Sequence, residues 1–453
     1  MPEGTPGRAW WGCYVGDRPH FEHVPGTLPV SPIWAGTETA TLIIGPPRSG
    51  KTSTLIIPSV LDAPAAVVST STKPDVLMAT ARYRAGEGYV HLFDPSGALM
   101  APVWVRKLRW SPIVGCEQFD RAVSMAHGLS RAARPGASLS ESAHWVERAE
   151  ALLAPLLFAA ALSGRPIGAL CQWVLARDLR EPQAVVSESG HQLAASILSG
   201  VAATDERERS GIFSTAAGLL SAYRSDAVLE AAAHPTFDPA AFAASSDTLY
   251  ICAPAHEQDQ LAPLVVALLE AIRAATLARP AEAAPVLFAL DEVANIAPLS
   301  SLPALAAEGG GQGLVTLACL QDLTQARVRW GESAEGFLTL FGAKVVLPGI
   351  ADYRTLALIS ALGGMEEVPT TTINRYVGNY GRIRPSTSTS TVFLPRYPID
   401  TIARGRPGFG LLIYGNQMAE VRLMPWFEHA YFASMGGFDG AHSWEELCQR
   451  YPG

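Results

Sequence analysis

The feature that most constrains this chain is a glycine-containing loop between an apolar run and a helix-like segment. Residues Gly45 to Thr52 read GPPRSGKT, which matches G-x-x-x-x-G-K-[ST] at every fixed position. The preceding run, Thr41 to Ile44, is apolar and β-prone, and the following segment, Thr52 to Val60, has a helical pattern. The motif requires this order of strand, loop and helix, because loop N–H groups and the helix N-terminus together hold phosphate.

The loop predicts a site for the phosphates of ATP with Mg²⁺. Lys51 is expected to reach the β- and γ-phosphates, and the Thr52 hydroxyl to hold Mg²⁺. The only lysines among the 34 basic residues are Lys51, Lys73, Lys107 and Lys344, which argues for a specific role of the loop lysine. The residues predicted to contact the nucleotide are Gly45, Pro46, Pro47, Arg48, Ser49, Gly50, Lys51, Thr52 and Ser53.

Polar residues that follow two further apolar runs predict the catalytic part of the site. The run Val286 to Leu290 ends in Asp291 and Glu292. Asp291 is expected to bind Mg²⁺ through its water shell, and Glu292 to act as the general base that polarises the attacking water. Gln321 follows the next strand and is expected to sense the γ-phosphate and orient water. The alternative, polar residues that merely terminate strands, stays open for all three.

Two groups of basic residues are weaker candidates. Multimeric ATPases often complete their site with an arginine from a neighbouring subunit. The segment from Asn374 to Arg384 mixes arginines with Tyr376 and Tyr380, a composition that suits single-stranded nucleic acid. A solvated loop or a subunit contact is the favoured explanation of this segment. The candidate arginine fingers, among which spacing does not choose, are Arg207, Arg209, Arg327, Arg329 and Arg375.

The distribution of apolar runs predicts an α/β fold with a mainly parallel sheet. Short apolar strands without alternation, separated by helical stretches, are typical of strands that are covered on both faces. Residues 113–245 contain helical patterns and no convincing strand, so we expect residues 1–112 and 246–453 to form the nucleotide-binding domain and 113–245 an inserted all-α domain. Residues 370–398 are expected to be structureless. The predicted strands are Thr41–Ile44, Ala65–Thr70, Tyr89–Phe93, Thr248–Cys252, Pro285–Leu290, Leu314–Leu320, Lys344–Leu347 and Gly410–Tyr414.

Charge and hydropathy indicate how the chain could contact DNA and in which compartment it is expected. The net charge of −8 disfavours a protein that coats DNA with its outer surface, but it permits a narrow channel lined by arginines. The first twenty residues lack the pattern of a signal peptide. The longest apolar stretch, Ala151 to Ser163, is shorter than the roughly 20 residues of a membrane-spanning helix. As given, the sequence indicates a soluble, cytosolic chain.

Several blocks together resemble the coupling proteins of type IV secretion and bacterial conjugation, the TraG/TraD class. The most specific is LDEVANIAPLSSLPALAAEGGGQGL with the following LQDLTQ and GIADYRTLALISALGG. The other blocks are GPPRSGKT, STKPDVL, HLFDPSG, HWVERAEALL and ERSGIFSTAAGLL. The likeness runs from about Gly36 to Phe427, and the order and spacing of the blocks argue against chance.

The resemblance implies a RecA-type nucleotide-binding domain, with the all-α insert taking part in substrate recognition. It implies a hexameric ring at the cytoplasmic face of the bacterial inner membrane, beside the secretion channel. Such proteins hydrolyse ATP and recruit DNA–relaxase complexes or protein effectors for transfer. It assigns the P-loop roles to Lys51 and Thr52, the Walker B roles to Asp291 and Glu292, and γ-phosphate sensing to Gln321.

One departure concerns the membrane. Typical members begin with a membrane anchor, whereas about 35 residues without an apolar span precede the first block here. We therefore expect membrane association only through an anchor that was removed or through a separate protein. Two other functions remain open: a non-hydrolysing, nucleotide-gated docking platform for relaxase or effector, and a double-stranded DNA translocase of the FtsK/HerA kind.

Overall fold

The fold is built around a sheet whose strands come from apolar runs spread along the chain. The computed structural model describes residues 12–18, 31–133, 140–280, 282–377, 383–437, 446 and 449. The strands are β1 (Cys13–Arg18), β2 (Ser31–Ala35), β3 (Thr41–Ile44), β4 (Val67–Ser71), β5 (Val90–Phe93), β6 (Val105–Lys107), β7 (Thr248–Cys252), β8 (Val286–Leu290), β9 (Leu314–Leu320), β10 (Ala343–Val346), β11 (Met365–Val377), β12 (Ile383–Pro395), β13 (Phe409–Tyr414) and β14 (Gln417–Arg422).

Twelve of these strands form one mixed sheet in the order β2-β1-β14-β13-β10-β3-β9-β8-β4-β7-β5-β6. The strands from β10 to β6 are parallel, and the four from β2 to β13 are antiparallel to their neighbours. Strands β3, β8 and β9 are buried at every residue, because helices cover both faces of the sheet. The predicted α/β fold with a mainly parallel sheet is confirmed.

All eight predicted strands are present, each within two residues of its predicted limits. The sequence reading missed four strands of the sheet, which carry weaker signals. Strand β6 has one buried residue out of three, and β14 is mostly exposed or half-buried. Strands β1 and β2 contain polar, glycine or proline residues and pair antiparallel at the end of the sheet. An apolar run marked the eight strands that were predicted, and its absence hid these four.

The helices lie on both faces of the sheet and in the long connection between β6 and β7. A π-helical turn, Thr52–Ile56, precedes the first of them. The helices are α1 (Ile57–Asp62), α2 (Asp75–Arg84), α3 (Phe119–Ala133), α4 (Ser140–Leu162), α5 (Ile167–Ala176), α6 (Arg180–Glu188), α7 (Gln192–Ala203), α8 (Glu206–Leu219), α9 (Asp226–Ala232), α10 (Pro239–Ala243), α11 (Gln258–Leu277), α12 (Val293–Ile296), α13 (Leu302–Glu308), α14 (Leu323–Trp330), α15 (Phe337–Leu340), α16 (Tyr353–Leu362), α17 (Ile399–Arg404) and α18 (Ala430–Ala433).

The connection between β6 and β7 is helical throughout its regular elements in the described residues, from α3 to α10. The limits 113 and 245 that we predict for an inserted domain fall in the segments before α3 and after α10. One apolar core is shared by this region and one face of the sheet, since it includes both Leu156 of α4 and Phe288 of β8. Helices α6 and α7 are separate, and Gly190 lies between them with φ +74°.

Helix α11 is the one helix in the described part of the chain that is long and apolar enough to cross a membrane. Two thirds of it (67%) is buried inside the protein, where it packs against α3 and α10. The burial explains its composition, because a helix covered on most sides is apolar around most of its circumference.

Residues 370–398 do not form the structureless stretch that their Ser/Thr-rich sequence predicts. Strands β11 and β12 pair antiparallel from Met365↔Pro395 to Val377↔Ile383 and form a separate two-stranded sheet. Described side chains on both of its faces are exposed, among them Ile373 on one face and Leu394 on the other. The hairpin was missed because neither face is buried, so its strands lack the apolar alternation that a half-buried strand shows.

Candidate nucleotide site

The loop from Gly45 to Thr52 lies at the carboxyl end of β3, between β10 and β9 in the sheet. The carboxyl ends of β8 and β9 open at the same edge, because these strands are parallel to β3. Ligands of open α/β sheets bind at this edge. The topology therefore brings the loop to the residues that follow β8 and β9, although about 240 residues separate them in sequence.

The backbone of the loop curves through conformations that suit a cradle. Gly50 has φ +92° and Arg48 has φ +63°. A Cβ atom at Gly45 would lie 2.9 Å from the Cβ of Leu347 and from the Oγ of Ser49, so only glycine fits there. The Ser49 hydroxyl is buried and lacks a hydrogen-bond partner among the described residues. An orphaned donor inside a tight glycine loop fits a phosphate oxygen as its missing partner.

Lys51 folds back across the loop. Its Nζ donates hydrogen bonds to the carbonyl oxygens of Gly45, at 2.6 Å, and Pro46, at 2.9 Å. The side chain is 6% exposed, so these carbonyls satisfy a buried ammonium group. The same position places the ammonium inside the cradle, where phosphate oxygens would compete for it.

The helix after the loop begins with a π-helical turn. Ile57 N donates to the carbonyl oxygen of Thr52, five residues earlier. Pro58 follows and has no N–H, so the usual bond to Thr54 cannot form, and the wider turn accommodates this loss. The carbonyl of Ser53 is left free of the helix and accepts a hydrogen bond of 2.9 Å from Trp426 N. The segment after β14 is thereby tied to the start of the helix that follows the loop.

Asp291 meets the loop directly. The Thr52 hydroxyl donates to its Oδ2 at 2.6 Å, and the Thr70 hydroxyl donates to its main-chain oxygen at 3.0 Å. Burial raises the pKa of Asp291 to about 6, the Thr52 hydrogen bond opposes the shift, and the nearby Glu292 adds to it. A hydroxyl and a carboxylate in contact supply the hard oxygen ligands that Mg²⁺ prefers, together with phosphate oxygens and water.

Glu292 lies in a left-handed conformation, with φ 55° and ψ 41°, at the start of α12. Such a backbone is uncommon for a non-glycine residue and concentrates at functional sites. Its Oε2 accepts hydrogen bonds from Gln321 Nε2 at 3.4 Å and from Asn295 Nδ2 at 3.3 Å. The structure therefore brings together Glu292 and Gln321, the predicted base and the predicted γ-phosphate sensor.

Two residues of this network were missed by the sequence reading. Gln325 Oε1 accepts from the main-chain N–H of Gln321 at 3.0 Å, and its Nε2 donates to Asn295 Oδ1 at 3.5 Å. Asn295 follows Glu292 by three residues and Gln325 follows Gln321 by four, spacings that bring side chains together on a helical turn. This spacing, three or four residues after a polar residue at a strand end, is the sequence signal that could have identified Asn295 and Gln325.

The candidate arginines lie away from the loop or in other pairs. Arg209 pairs with Glu206, and Arg207 is exposed in the first turn of α8. On α14, Arg327 pairs with Glu335 at 3.1 Å and Arg329 with Asp259 at 3.0 Å. The side chain of Arg375 is outside the described part of the structure, as are Tyr376, Tyr380, Arg382 and Arg384.

Comparison with known proteins gives a family and a fold. The profile of the type IV secretory system conjugative DNA transfer family matches residues 29–392. No curated protein matches the sequence at a significant level. The unbound structure of the bacterial conjugative coupling protein TrwBdeltaN70 superposes with a TM-score of 0.66 at 18% identity and covers 86% of this chain and 85% of that chain.

Two nucleotide complexes of the plasmid coupling protein TrwB are similar to the same extent. The complex with ADP and Mg²⁺ has a TM-score of 0.65 at 19% identity, and the complex with a non-hydrolysable ATP analogue has 0.65 at 18%. Each covers 86% of this chain and 86% of that chain. At such low identity these likenesses establish a shared fold, which agrees with the predicted RecA-like domain joined to a helical domain.

Proposed function

This chain belongs to the type IV secretory system conjugative DNA transfer family, and from that membership we propose that it is an ATPase that drives substrates into a conjugation or secretion channel. The observation that carries the proposal is the contact of 2.6 Å between the Thr52 hydroxyl and the Asp291 carboxylate. It joins a phosphate cradle to a carboxylate that follows β8, two places from β3 in the sheet, and Glu292 and Gln321 lie beside it. Binding alone does not require the second carboxylate.

Each residue has a distinct part in the proposed reaction. Lys51 leaves the carbonyls of Gly45 and Pro46 and pairs with the β- and γ-phosphates, while loop N–H groups hold the remaining oxygens. Thr52 and Asp291 hold Mg²⁺, which neutralises charge on the phosphates when it is bound. Glu292 accepts a proton from the attacking water, and Gln321 keeps that carboxylate and the water in position.

The cofactors are ATP and Mg²⁺. Support comes from TrwB, whose structures hold ADP with Mg²⁺, an ATP analogue and the GTP analogue GDPNP. We assign nucleotide contacts to the whole loop from Gly45 to Ser53. An arginine from a neighbouring subunit completes the site, and its candidates remain Arg207, Arg209, Arg327, Arg329 and Arg375.

The proposed arrangement in the cell follows from family membership. Residues 1–112 and 246–453 form the nucleotide-binding domain, and residues 113–245 form the substrate-recognition domain. The chain assembles as a homo-oligomer, a hexamer with DNA or partners, at the cytoplasmic face of the bacterial inner membrane. Its partners are DNA, relaxase or protein effectors, and channel components, with membrane attachment supplied by an anchor or by a separate protein.

The test is ATP hydrolysis measured together with mass in solution, with and without single- and double-stranded DNA. We expect DNA-stimulated hydrolysis in a hexameric species. Tight ATP binding without turnover under every condition would contradict the motor and favour a nucleotide-gated docking platform. Movement along naked duplex without secretion partners would favour a double-stranded DNA translocase instead.

A further inference from the structure

A cavity of about 410 Å³ lies between α17 and β13. Its floor is apolar and includes Val346, Ile402 and Leu411. Strand β13 runs antiparallel to β10, and Leu411 pairs with Val346. Phe409, which precedes Leu411, therefore lies beyond the carboxyl end of β10, at the edge of the sheet that carries the phosphate cradle. The volume is within the range of pockets that hold small molecules.

The wall of this cavity is continuous with the phosphate cradle. Pro348 lines the cavity, and the next residue, Gly349, packs against the loop, since a Cβ atom at Gly349 would lie 3.1 Å from Pro46 Cγ. The Gly349 N–H donates to the carbonyl oxygen of Ala403 in α17 at 2.8 Å. Gly405 closes the other side against Pro348, where an added Cβ would lie 2.4 Å from Pro348 Cγ.

The separation of the two sites matches the dimensions of a nucleotide. Strand β13 is two places from β3 in the sheet, with β10 between them. Neighbouring strands are 4.7–4.9 Å apart, so the cavity is displaced from the cradle by about 10 Å along the edge. A ribose and an α-phosphate bridge a separation of this order between a base and a β-phosphate.

The chemistry of the lining suits a flat aromatic base attached to a sugar. Phe409 is half-buried, and the guanidinium carbon of Arg406 lies 4.0 Å from the centre of its ring. Arg406 also pairs with Glu420 at 3.2 Å, and their side chains are 58% and 40% exposed. An exposed ion pair of this kind contributes little to stability. An aromatic base can therefore displace the Arg406 guanidinium from the face of the Phe409 ring at a low cost in free energy. Asp400 and Glu420 supply carboxylate acceptors for sugar hydroxyls.

We propose that this cavity binds the purine base and ribose of the nucleotide whose phosphates are held at Lys51, with the base stacked on Phe409. The proposal rests on the proposed function, because it assumes a nucleotide at the cradle. It goes beyond that function by naming the residues that distinguish a nucleoside triphosphate from inorganic phosphate chains.

The experiment compares the affinities of Mg²⁺-ATP and Mg²⁺-tripolyphosphate, which lacks base and sugar, by calorimetry. The variants are Phe409→Ala, Phe409→Tyr, which keeps a ring for stacking, and Phe393→Ala, which removes an exposed aromatic from β12 as a control. We expect Phe409→Ala to weaken ATP binding by about tenfold or more. Its affinity for tripolyphosphate should stay within about twofold of wild type, and the other two variants should bind ATP as wild type does.

The outcomes separate this inference from the proposed function. Unchanged ATP affinity in Phe409→Ala overturns the assignment of the cavity, and so does an equal loss of affinity for ATP and tripolyphosphate. If Phe409→Ala does not fold, Phe409→Leu replaces it, since leucine keeps an apolar side chain but cannot stack. Lys51→Ala should weaken both ligands, whereas wild-type protein that binds neither ligand contradicts the proposed function and this inference with it.

Discussion

The edge of the central sheet at which β3, β8 and β9 end, here called the nucleotide edge, and the β11–β12 hairpin are both made of paired strands. The side chains of the two regions are buried to very different extents. Ile43 in β3 is completely buried, whereas Ile373 in β11 is 63% exposed. The nucleotide edge has neighbours on both sides and helices above and below, so each side chain has a fixed environment. In the hairpin each strand has one partner strand, and the described side chains are exposed or half-buried on both faces. We therefore expect substitutions in the first region to disturb packing, and substitutions of exposed side chains in the second to have little effect on it.

The strongest test of this contrast removes the ammonium group from the cradle. Lys51→Ala should lower ATP turnover by about a thousandfold, because the β- and γ-phosphates lose their buried cation. Steady-state phosphate release measures the effect. Lys107→Ala is the matched control, since Lys107 is exposed on β6 at the far end of the sheet. Equal activities of the two variants would mean that the cradle does not bind the reacting phosphates.

The second test separates chemistry from binding at the nucleotide edge. Glu292→Gln keeps the size of the side chain but removes the general base, so turnover should fall by about a hundredfold while ATP affinity stays the same. Glu230→Gln is the control, because Glu230 lies on α9, is 76% exposed and pairs with Arg109. A large loss of ATP affinity in Glu292→Gln would instead indicate a structural role for the strained backbone at this position.

The third test compares the same substitution in the two regions. Ile43→Ala should destabilise the protein by about 2–5 kcal/mol, because it leaves a cavity beneath the phosphate-binding helix. Ile373→Ala should change stability by no more than about 0.5 kcal/mol, because its side chain is mostly in solvent. Urea unfolding followed by tryptophan fluorescence measures both. A comparable loss in Ile373→Ala would show that the hairpin is packed against a partner in solution.

The smallest predicted effect is a change in the free energy of unfolding, and it comes from the burial of the Asp291 carboxylate. Its pKa of about 6 in the folded protein exceeds its ordinary value of 3.8, so the folded state holds an extra proton between these pH values. Stability therefore falls as pH rises from about 4 to about 6 and is then constant. Asp291→Asn should stabilise the protein at pH 7.5 by about 1–3 kcal/mol in the absence of metal and nucleotide.

Thermal unfolding in EDTA at several pH values checks this prediction. The advantage of Asp291→Asn should disappear near pH 4, where the wild-type carboxyl is also neutral. A stabilisation that is independent of pH would contradict the assigned cause. Added Mg²⁺-ATP should reverse the order of the two proteins, because the variant lacks the carboxylate that is proposed to hold the metal.

The same contrast explains how much could be predicted from sequence. The parallel strands other than β6 were found because burial on both faces demands apolar runs such as Leu314–Leu320. The candidate site was located because Lys51, Asp291 and Glu292 each follow or flank such a run. Asn295 and Gln325 were missed because they act through contacts between two chain segments, and a single polar residue in a helix does not reveal its partner.

The hairpin was missed for the opposite reason. Ser and Thr alternate at residues 386–391, within β12. Because this strand does not pack on a core, it needs no apolar residues, and its sequence is equally compatible with an irregular loop. Strand β14 was hidden as well, although it pairs with the adjacent β13, because most of its residues are exposed or half-buried and form no apolar run.

The position of β3 in the sheet also sets the order in which the protein can assemble during synthesis. Its hydrogen-bonding partners, β9 and β10, leave the ribosome some 270 and 300 residues after it. The helices between β6 and β7 make contacts that are mostly local and can form while the rest of the chain is still being made. The loop from Gly45 to Thr52 therefore reaches its final packing late, because β3 does not have both neighbouring strands until β10 has been synthesised.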